Sequence, residues 1–266
     1  RMSRLLLLAL LPLLVSSSDF SCDRVHPSLW CANANLAQTC GFKPFCDRFN
    51  NATTNKPLKL TLLFEGLCPG CHAFITQELY PKIFPNFPKE VLQIELVPFG
   101  NAKYYGDKLV CQHGSEECQI DKFESCAIET LPSQADFVPL IYCIESKTTP
   151  MGVAGSQSNN EFTDAVAKCF SSLRISADVQ NKIQTCYSNG RGDQLQRTAG
   201  DRTKDVFPEQ HKYVPWIMVN DVSLLSFQQY SSMLPSLFCD WYSGSVKIPY
   251  CDNQMPAPQR VSFREL

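Results

Sequence analysis

The stretch LKLTLLFEGLCPGCHAFITQELY (residues 58–80) joins an apolar run to an amphipathic run through two cysteines. Its first eight residues are apolar on both faces, as in a central strand of a sheet that is covered on both sides. Apolar residues then recur at roughly helical spacing from residue 73 to residue 80, and Pro81 is expected to end this helix. The stretch therefore predicts a strand that leads directly into a helix, with Cys68 and Cys71 at the junction.

The rest of the chain extends this pattern into an α/β fold. The run VLQIELVPFGNA (residues 91–102) predicts a second strand, so that strand, helix and strand form a right-handed βαβ unit. Amphipathic runs indicate that residues 111 to about 205 are mostly helical. A strand returns at YVPWIMVN (residues 213–220), before a final helix with a break at Pro235. This order predicts a thioredoxin-like fold with a helical insertion at about residues 108–205.

Composition excludes several classes of function. The 266 residues carry a formal net charge of −2, from 24 basic and 26 acidic residues, without a long run of one sign. We therefore expect neither a nucleic-acid groove nor a polybasic membrane patch. Arg4, the run LLLLALLPLLV and three serines indicate a signal peptide over residues 1–18, too short to span a bilayer. No other apolar run is long enough to span one, so we expect a secretory chain without a transmembrane segment.

Four closely spaced cysteines mark residues 19–56 as a small module that disulfides hold together. They are Cys22, Cys31, Cys40 and Cys46. Their spacing leaves little room for a core, so we expect them to pair among themselves. With Trp30 before Cys31, Ala37, and Gly41 after Cys40, the segment resembles a saposin A-type domain.

The remaining boundaries follow from polar and proline-rich segments. The run NNATTNKP (residues 50–57) reads as a linker, and its sequon at Asn51 is a candidate glycosylation site in a surface loop. Residues 57–244 are assigned to the thioredoxin-like domain. Residues 245–266 are expected to form an irregular tail.

The tetrapeptide Cys68-Pro69-Gly70-Cys71 admits three interpretations. A zinc site would need a second C-x2-C or a suitably spaced histidine pair, and the sequence has neither, so no metal or other cofactor is expected. A structural disulfide would close a very small loop and remove little entropy. A redox pair fits the position best, because a cysteine at a helix N-terminus is stabilised as a thiolate. Pro69 suits the first helical turn, and Cys71 lies close enough to resolve a mixed disulfide.

A second feature of redox proteins lies far along the chain, at Val214-Pro215. Proline is disfavoured inside a central strand but tolerated at its start. In redox-active thioredoxin-like proteins a cis-proline at this place faces the C-x2-C pair, and an extended substrate can pair with the adjacent backbone. We therefore expect Val214 and Pro215, with Pro69 and Gly70, to form the wall of the active site. A trans-proline that simply begins the strand is the alternative.

The run CQHGSEECQIDKFESC (residues 111–126) resembles the signature C-Q-H-G-x2-E-C-x2-N-x4-C of the gamma-interferon-inducible lysosomal thiol reductases. The matching residues are Cys111, Gln112, His113, Gly114, Glu117, Cys118 and Cys126. Asp121 stands where the signature has Asn. The proline strand and the C-terminal run FCDWYSGSVKIPYC are also similar to that family, and the resemblance covers residues 58–251. His113 is interpreted as stabilising a turn, with assistance in proton transfer as the alternative.

The cysteine count supports a redox role for one pair alone. On one helix Cys118 and Cys126 would lie about 12 Å apart, beyond the reach of a disulfide, so each needs a partner elsewhere. The partners available in the insertion are Cys111, Cys143, Cys169 and Cys186, and their connectivity stays open. Cys239 and Cys251 form a further pair. Every structural group is therefore even, which leaves Cys68 and Cys71.

The resemblance implies an enzyme that reduces disulfides of protein substrates in the endosome or lysosome, with a small thiol or another reductant as electron donor. It also implies an acidic working pH, and therefore a pKa of Cys68 well below the ordinary value for a thiol. The resemblance also implies that pro-segments are removed at both ends, which here would be the N-terminal module at residues 19–56 and the C-terminal tail. Two alternatives remain: a disulfide isomerase or oxidase earlier in the secretory pathway, and a disulfide-rich secreted binding protein without enzymatic activity.

Overall fold

The structure is a computed structural model that describes residues 21–52, 56–151 and 159–254. The predicted signal peptide lies outside these residues, as does the end of the tail from residue 255. Within the described ranges, no helix is long and apolar enough to cross a membrane.

The predicted βαβ unit forms one side of a five-stranded sheet. Strand β1 (Leu58–Phe64) pairs in parallel with β2 (Leu92–Pro98) and antiparallel with β6 (Trp216–Val219). The short strands β5 (Phe207–Pro208) and β7 (Val222–Ser223) complete the order β2-β1-β6-β7-β5. All of β6 and all of β1 except Lys59 are buried, as a sheet covered on both faces requires. The arrangement is a thioredoxin-like fold, as predicted.

The helix after β1 does not end where the sequence predicted. Helix α3 (Pro69–Phe74) continues into a π-helical segment at Ile75–Ile83, which contains Pro81. In a π-helix the N–H groups reach back five residues, as Phe84 does to Leu79 at 2.8 Å. This wider turn moves the preceding carbonyls away from the proline ring, so the usual clash of proline in an α-helix is relieved.

Five helices form the insertion between β2 and β6. They are α4 (Ser115–Thr130), α5 (Gln134–Glu145), α6 (Asn159–Ser172), α7 (Ala177–Ser188) and α8 (Gly190–Lys204). Helix α4 contacts β2, α5, α7 and α8, so it joins the insertion to the sheet. A hairpin of strands β3 (Lys103–Tyr105) and β4 (Lys108–Val110) precedes the insertion, and the sequence did not predict it.

Three disulfides connect the insertion internally. They join Cys111 to Cys118, Cys126 to Cys186, and Cys143 to Cys169. Cys118 and Cys126 are not paired with each other, as their separation along α4 predicted. The bond from Cys126 connects α4 to α7 across 60 residues of sequence and therefore closes a long loop.

The N-terminal module forms the predicted disulfides but is not a separate unit. Helices α1 (Ala34–Thr39) and α2 (Lys43–Ala52) are held by the pairs Cys22–Cys40 and Cys31–Cys46. The fully buried Trp30 stacks on Phe42 and reaches Phe227 of the main domain at 5.9 Å between ring centroids. A segment this short cannot bury a tryptophan alone, so it shares the core of the larger domain. Its removal would expose Phe227.

Two further boundaries differ from those predicted. Helix α2 extends to Ala52, so Asn51 lies in the last turn of a helix and not in a surface loop. The tail is not irregular throughout, because α11 (Pro249–Gln254) lies within it and Cys251 forms a disulfide with Cys239.

The predicted final helix is divided into short pieces. These are α9 (Leu225–Gln228), a 3-10 turn at Ser231–Met233, and α10 (Leu234–Trp241). Pro235 does not break a helix; it lies in the first turn of α10, where its missing N–H costs no hydrogen bond.

Candidate active site

The junction between β1 and α3 presents Cys68 as the N-cap of the helix. Leu67 immediately before it has φ 66°, a left-handed conformation that a branched non-glycine residue rarely adopts. Its carbonyl accepts a hydrogen bond from the Met151 N–H at 2.8 Å, which holds the turn in place. Such conformations persist where surrounding contacts enforce them, and they are common at functional sites.

The pKa values of the two cysteines are shifted in opposite directions. Hydrogen bonding from the Cys71 side chain, together with the N–H groups of Cys71 and Gly70, lowers the pKa of Cys68 to about 6 despite its burial. The Cys71 N–H lies 3.5 Å from the Cys68 Sγ. Burial raises the pKa of Cys71 well above its usual value, and the neighbouring Cys68 adds to this. One thiol is thus prepared to ionise, while the other stays protonated behind it.

The Val214–Pro215 peptide lies opposite the pair and is cis. The Val214 carbonyl oxygen is 3.8 Å from the Cys68 Sγ. A Cβ on Gly70 would lie 3.0 Å from the Pro215 Cδ, closer than most real contacts, so glycine allows this approach. The structure therefore brings together the four wall residues that the sequence singled out, with Pro69 in the first turn of α3.

Two residues of the family signature, His113 and Glu117, lie near the pair of cysteines Cys68 and Cys71. The His113 Nδ1 contacts Glu117 and lies 3.6 Å from Glu65 at the end of β1, while the His113 N–H donates to Glu117 at 3.0 Å. Burial opposes protonation of His113, but the hydrogen bond and charge of Glu117 outweigh it and raise its pKa. The charge of His113 in turn helps to lower the pKa of Cys68. This places His113 near the thiol chemistry and not only in a turn.

Glu65 and Asn101 belong to this cluster, although the sequence did not single them out. Burial, with the charge of Glu117, raises the pKa of Glu65 to about 7. The Asn101 N–H donates to Glu65 at 2.7 Å, and its side chain donates to Gln112 at 2.6 Å. Gly100, with φ 54°, leaves room for Glu65, since a Cβ there would collide with its side chain. An acidic residue directly after the mostly apolar strand and three residues before Cys68 was the available signal.

Three more buried carboxyl groups extend the cluster behind Cys71. They belong to Asp121, Glu124 and Glu145. Burial raises the pKa of all three. Neighbouring carboxylates add to this for Asp121 and Glu124, and the charges of Cys68 and Glu117 add to it for Glu145. The Glu145 carboxyl lies 3.9 Å from the His72 Nδ1, and its charge acts on Cys71. The signature residues Cys118 and Cys126, by contrast, form disulfides that hold α4.

Asp121 explains the one departure from the family signature. Its Oδ1 accepts a hydrogen bond from the Gly66 N–H at 2.8 Å, two residues before Cys68. An asparagine oxygen could accept the same bond. Because burial raises the pKa of Asp121 and so favours its uncharged form, the aspartic acid resembles asparagine in charge as well as in shape.

Glu65, His113 and Glu117 are also the residues that could hold a metal ion. One ligand atom from each lies within 4.8 Å of the others. Their polar atoms already contact one another and Asn101, so the group needs no ion to satisfy its hydrogen bonds.

We expect Cys68 to react with iodoacetamide as a thiolate well below pH 8. The alkylation rate should rise with an apparent pKa near 6, because hydrogen bonds to the sulfur stabilise its charge. Mass spectrometry of the reduced protein across pH 4–9 measures this rate for each cysteine. A midpoint at pH 8 or higher would contradict the prediction, and Cys71 should remain unreactive throughout.

We also expect folding stability to fall as pH rises from 5 to 7.5. A carboxyl group whose folded pKa is raised stabilises the fold fully below its unfolded pKa, and this contribution is lost as pH rises through the folded value. Glu65, with a pKa of about 7, and Asp121 both have this sign. Glu95 has the opposite sign: burial alone would raise its pKa, but Arg202 outweighs this and lowers it to about 2, so its contribution is lost only in strong acid.

The Asp121→Asn variant isolates this effect. It should raise the free energy of unfolding more at pH 7.5 than at pH 5, because the unfolded aspartate ionises with rising pH while burial opposes ionisation of the folded one. Urea denaturation at both pH values measures the difference, with Asp164→Asn on the exposed face of α6 as control. An equal effect of Asp121→Asn at both pH values would refute the assignment.

A low-pKa cysteine at a strand-to-helix junction, with a buried partner thiol and a facing proline, defines a thiol reductase of the thioredoxin-like class. Comparison with known proteins agrees. A family model described as "Gamma interferon inducible lysosomal thiol reductase (GILT)" matches residues 59–173. A goldfish (Carassius auratus) gamma-interferon-inducible lysosomal thiol reductase is 30% identical over 82% of this chain and 80% of its own length.

Two further relatives extend the match across kingdoms. A gamma-interferon-responsive lysosomal thiol protein of Arabidopsis thaliana is 32% identical over 78% of this chain and 81% of its own length. The mouse (Mus musculus) gamma-interferon-inducible lysosomal thiol reductase is 28% identical over 78% of this chain and 77% of its own length. The chain belongs to the gamma-interferon-inducible lysosomal thiol reductase family.

Proposed function

We propose that this protein reduces disulfide bonds of polypeptide substrates in an acidic endosomal or lysosomal compartment, through Cys68 and Cys71. The observation that carries the proposal is the unequal acidity of the pair: the pKa of Cys68 is lowered to about 6, whereas that of the buried Cys71 is raised. The thiolate is the nucleophile in disulfide exchange, so Cys68 can attack the substrate while Cys71 stays protonated until it resolves the intermediate.

The reaction proceeds in two displacements. The Cys68 thiolate attacks one sulfur of the substrate disulfide, and the other substrate sulfur leaves as a thiolate and takes up a proton. Cys71 then loses its proton and attacks the Cys68 Sγ, which releases the second substrate thiol. The substrate has gained two electrons, and Cys68–Cys71 is a disulfide that a small thiol or another dithiol reduces again.

The buried carboxyl groups support an acidic working pH. Each carries no charge while it is protonated, so below its pKa it does not oppose a thiolate at Cys68. When Glu65 ionises near pH 7, its charge and that of the Cys68 thiolate repel each other. Cys68 is therefore expected to ionise at a lower pH than an ordinary thiol, so that some thiolate is present even in an acidic compartment.

The wall at Val214 and Pro215 is proposed to hold the substrate chain. The Val214 carbonyl is 3.8 Å from the Cys68 sulfur, so an extended segment that pairs with this backbone would bring its own sulfur next to Cys68. Six disulfides in the described chain and the lysosomal names of the relatives support a location along the secretory route to the lysosome.

Reduction of insulin by the reduced protein at pH 4.5 and pH 7 tests the proposal. We expect reduction at both pH values, including pH 4.5, where an ordinary thiol is almost wholly protonated, and little reactivation of scrambled ribonuclease at pH 7. Efficient reactivation without reduction would favour a disulfide isomerase, and inactivity at both pH values would favour a binding protein. Either result would overturn the proposal.

A further inference from the structure

A groove of about 610 Å³ is lined in part by Asn101, which donates a hydrogen bond to Glu65 of the cluster near Cys68. One wall is formed by the segment after β2 and by the hairpin β3–β4, and the other by the end of α8 and residues 211–212. We call this feature the lysine groove. The residues used below are Lys103, Tyr105, Val110, Lys204, His211 and Lys212.

Both walls of the groove lead to the active site. Lys212 lies two residues before Val214, whose carbonyl oxygen is 3.8 Å from the Cys68 sulfur. On the opposite side, Gln112 accepts a hydrogen bond from Asn101 at 2.6 Å, and Asn101 contacts Glu65 in the cluster beside Cys68. The groove therefore lies next to residues that flank the Cys68 sulfur on two sides, where a bound substrate chain would extend.

The groove is positively charged, although the whole chain carries a net charge of −2. Lys103, Lys204 and Lys212 are exposed, and none of the three forms an ion pair within the described residues. Among the described residues, none that lines the groove is acidic. Asp107, at the tip of the hairpin, lies outside the lining and is paired with Arg197 at 2.9 Å.

The groove also contains exposed apolar side chains and, among the described residues, a buried nitrogen atom without a hydrogen-bond partner. Tyr105 is 65% exposed and Val110 is 42% exposed, both on the hairpin wall. The His211 Nδ1 is shielded from solvent without a hydrogen-bond partner. Exposed aromatic and aliphatic side chains beside unpaired cations are suited to bind a segment that carries both apolar and acidic residues.

We propose that the lysine groove binds the segment of an unfolded substrate that flanks its reactive cysteine, and that it selects segments with acidic residues. This rests on the proposed function, because the groove is defined by its continuity with the Cys68 sulfur. The unpaired ammonium groups attract carboxylates and so raise the local concentration of such substrates. The effect should appear mainly in KM, since the lysines do not contact the reacting sulfurs.

Two disulfide-linked peptide pairs of identical length test this inference. In one, three residues beside the cysteine are glutamate, and in the other they are lysine. At pH 5.5 and low salt we expect kcat/KM for the acidic peptide to be about tenfold higher, the order expected of several exposed ion pairs. The preference should vanish in 0.5 M NaCl, because salt screens exposed charges.

Two triple variants separate the groove from the general charge of the protein. Lys103→Gln with Lys204→Gln and Lys212→Gln should remove the preference and leave kcat for the lysine peptide unchanged. Lys89→Gln with Lys168→Gln and Lys247→Gln removes three exposed lysines outside the lining and should retain it. Equal kcat/KM for the two peptides, or equal loss in both triple variants, would overturn the inference.

The proposed function and the groove can fail separately. If the wild-type protein reduces neither peptide, the proposed reductase activity fails. Fluorescence anisotropy with the same peptides, their cysteines replaced by serine, then tests the groove alone. Tighter binding of the acidic peptide that is lost in the groove variant supports it, and equal binding of both peptides overturns it.

Discussion

Replacement of Cys68 by serine is expected to abolish disulfide reduction, with a loss of about a thousandfold or more. A serine hydroxyl at the same N-cap has no accessible anion at pH 5, so the first displacement cannot occur. The fold should persist, because serine is also a favourable N-cap and Cys68 forms no disulfide. Insulin turbidity at pH 4.5 measures the loss.

The Cys71→Ser variant provides the matched comparison. It retains the nucleophile but lacks the thiol that resolves the intermediate, so a covalent adduct with the substrate should accumulate. Non-reducing electrophoresis and mass spectrometry detect this adduct, which should be absent from Cys68→Ser. If Cys68→Ser kept a tenth of wild-type activity, or if the adduct formed on another cysteine, the assigned roles would be wrong.

The second large effect concerns the disulfide between Cys126 and Cys186. Replacement of both by alanine is expected to cost about 4 kcal/mol, because the bond closes a loop of 60 residues in the unfolded chain. Removal of Cys111–Cys118, which spans 7 residues, should cost about 2 kcal/mol by the same entropic relation. Urea denaturation at pH 5 measures both under the same conditions.

The disulfide between Cys126 and Cys186 is also expected to affect the active site. The bond from Cys126 anchors α4, which also carries Glu117 and Asp121 next to the reactive pair. Glu117 contacts His113, whose charge helps to lower the pKa of Cys68, so we expect loss of this disulfide to raise the apparent pKa of Cys68 as well as to lower stability. Equal costs for the two disulfides would show that chain entropy is not the main source of their stabilisation.

The local features of this protein could be predicted from sequence because each is encoded within a few residues. The apolar strand, the Cys68 N-cap position and the helical turn that brings Cys71 near follow from periodicity and from the chemistry of a helix N-terminus. The signature at residues 111–126 identified the family in the same way. Pro81 was misjudged because a π-helical turn, which the sequence pattern did not indicate, accommodates it.

Features that depend on the path of the chain could not be predicted. The core shared by Trp30 and Phe227 joins residues that no periodic pattern relates, so the N-terminal module was wrongly assigned as separate. The effect of Glu65 and Asp121 on the active site follows only from the fold, which places both carboxyl groups near Cys68 and buries them away from water. The same burial raises their pKa values, which explains why an aspartate can occupy the asparagine position of the signature.

The sequence by itself determined the dithiol, its place at a helix N-terminus, the facing proline and the family. These depend on local geometry that short motifs encode. The tertiary structure alone decided the disulfide connectivity, the cluster of buried carboxyl groups and the lysine groove. Each of these requires distant segments to meet, and the pKa shifts require exclusion of water, which is a property of the packed chain and not of any segment of it.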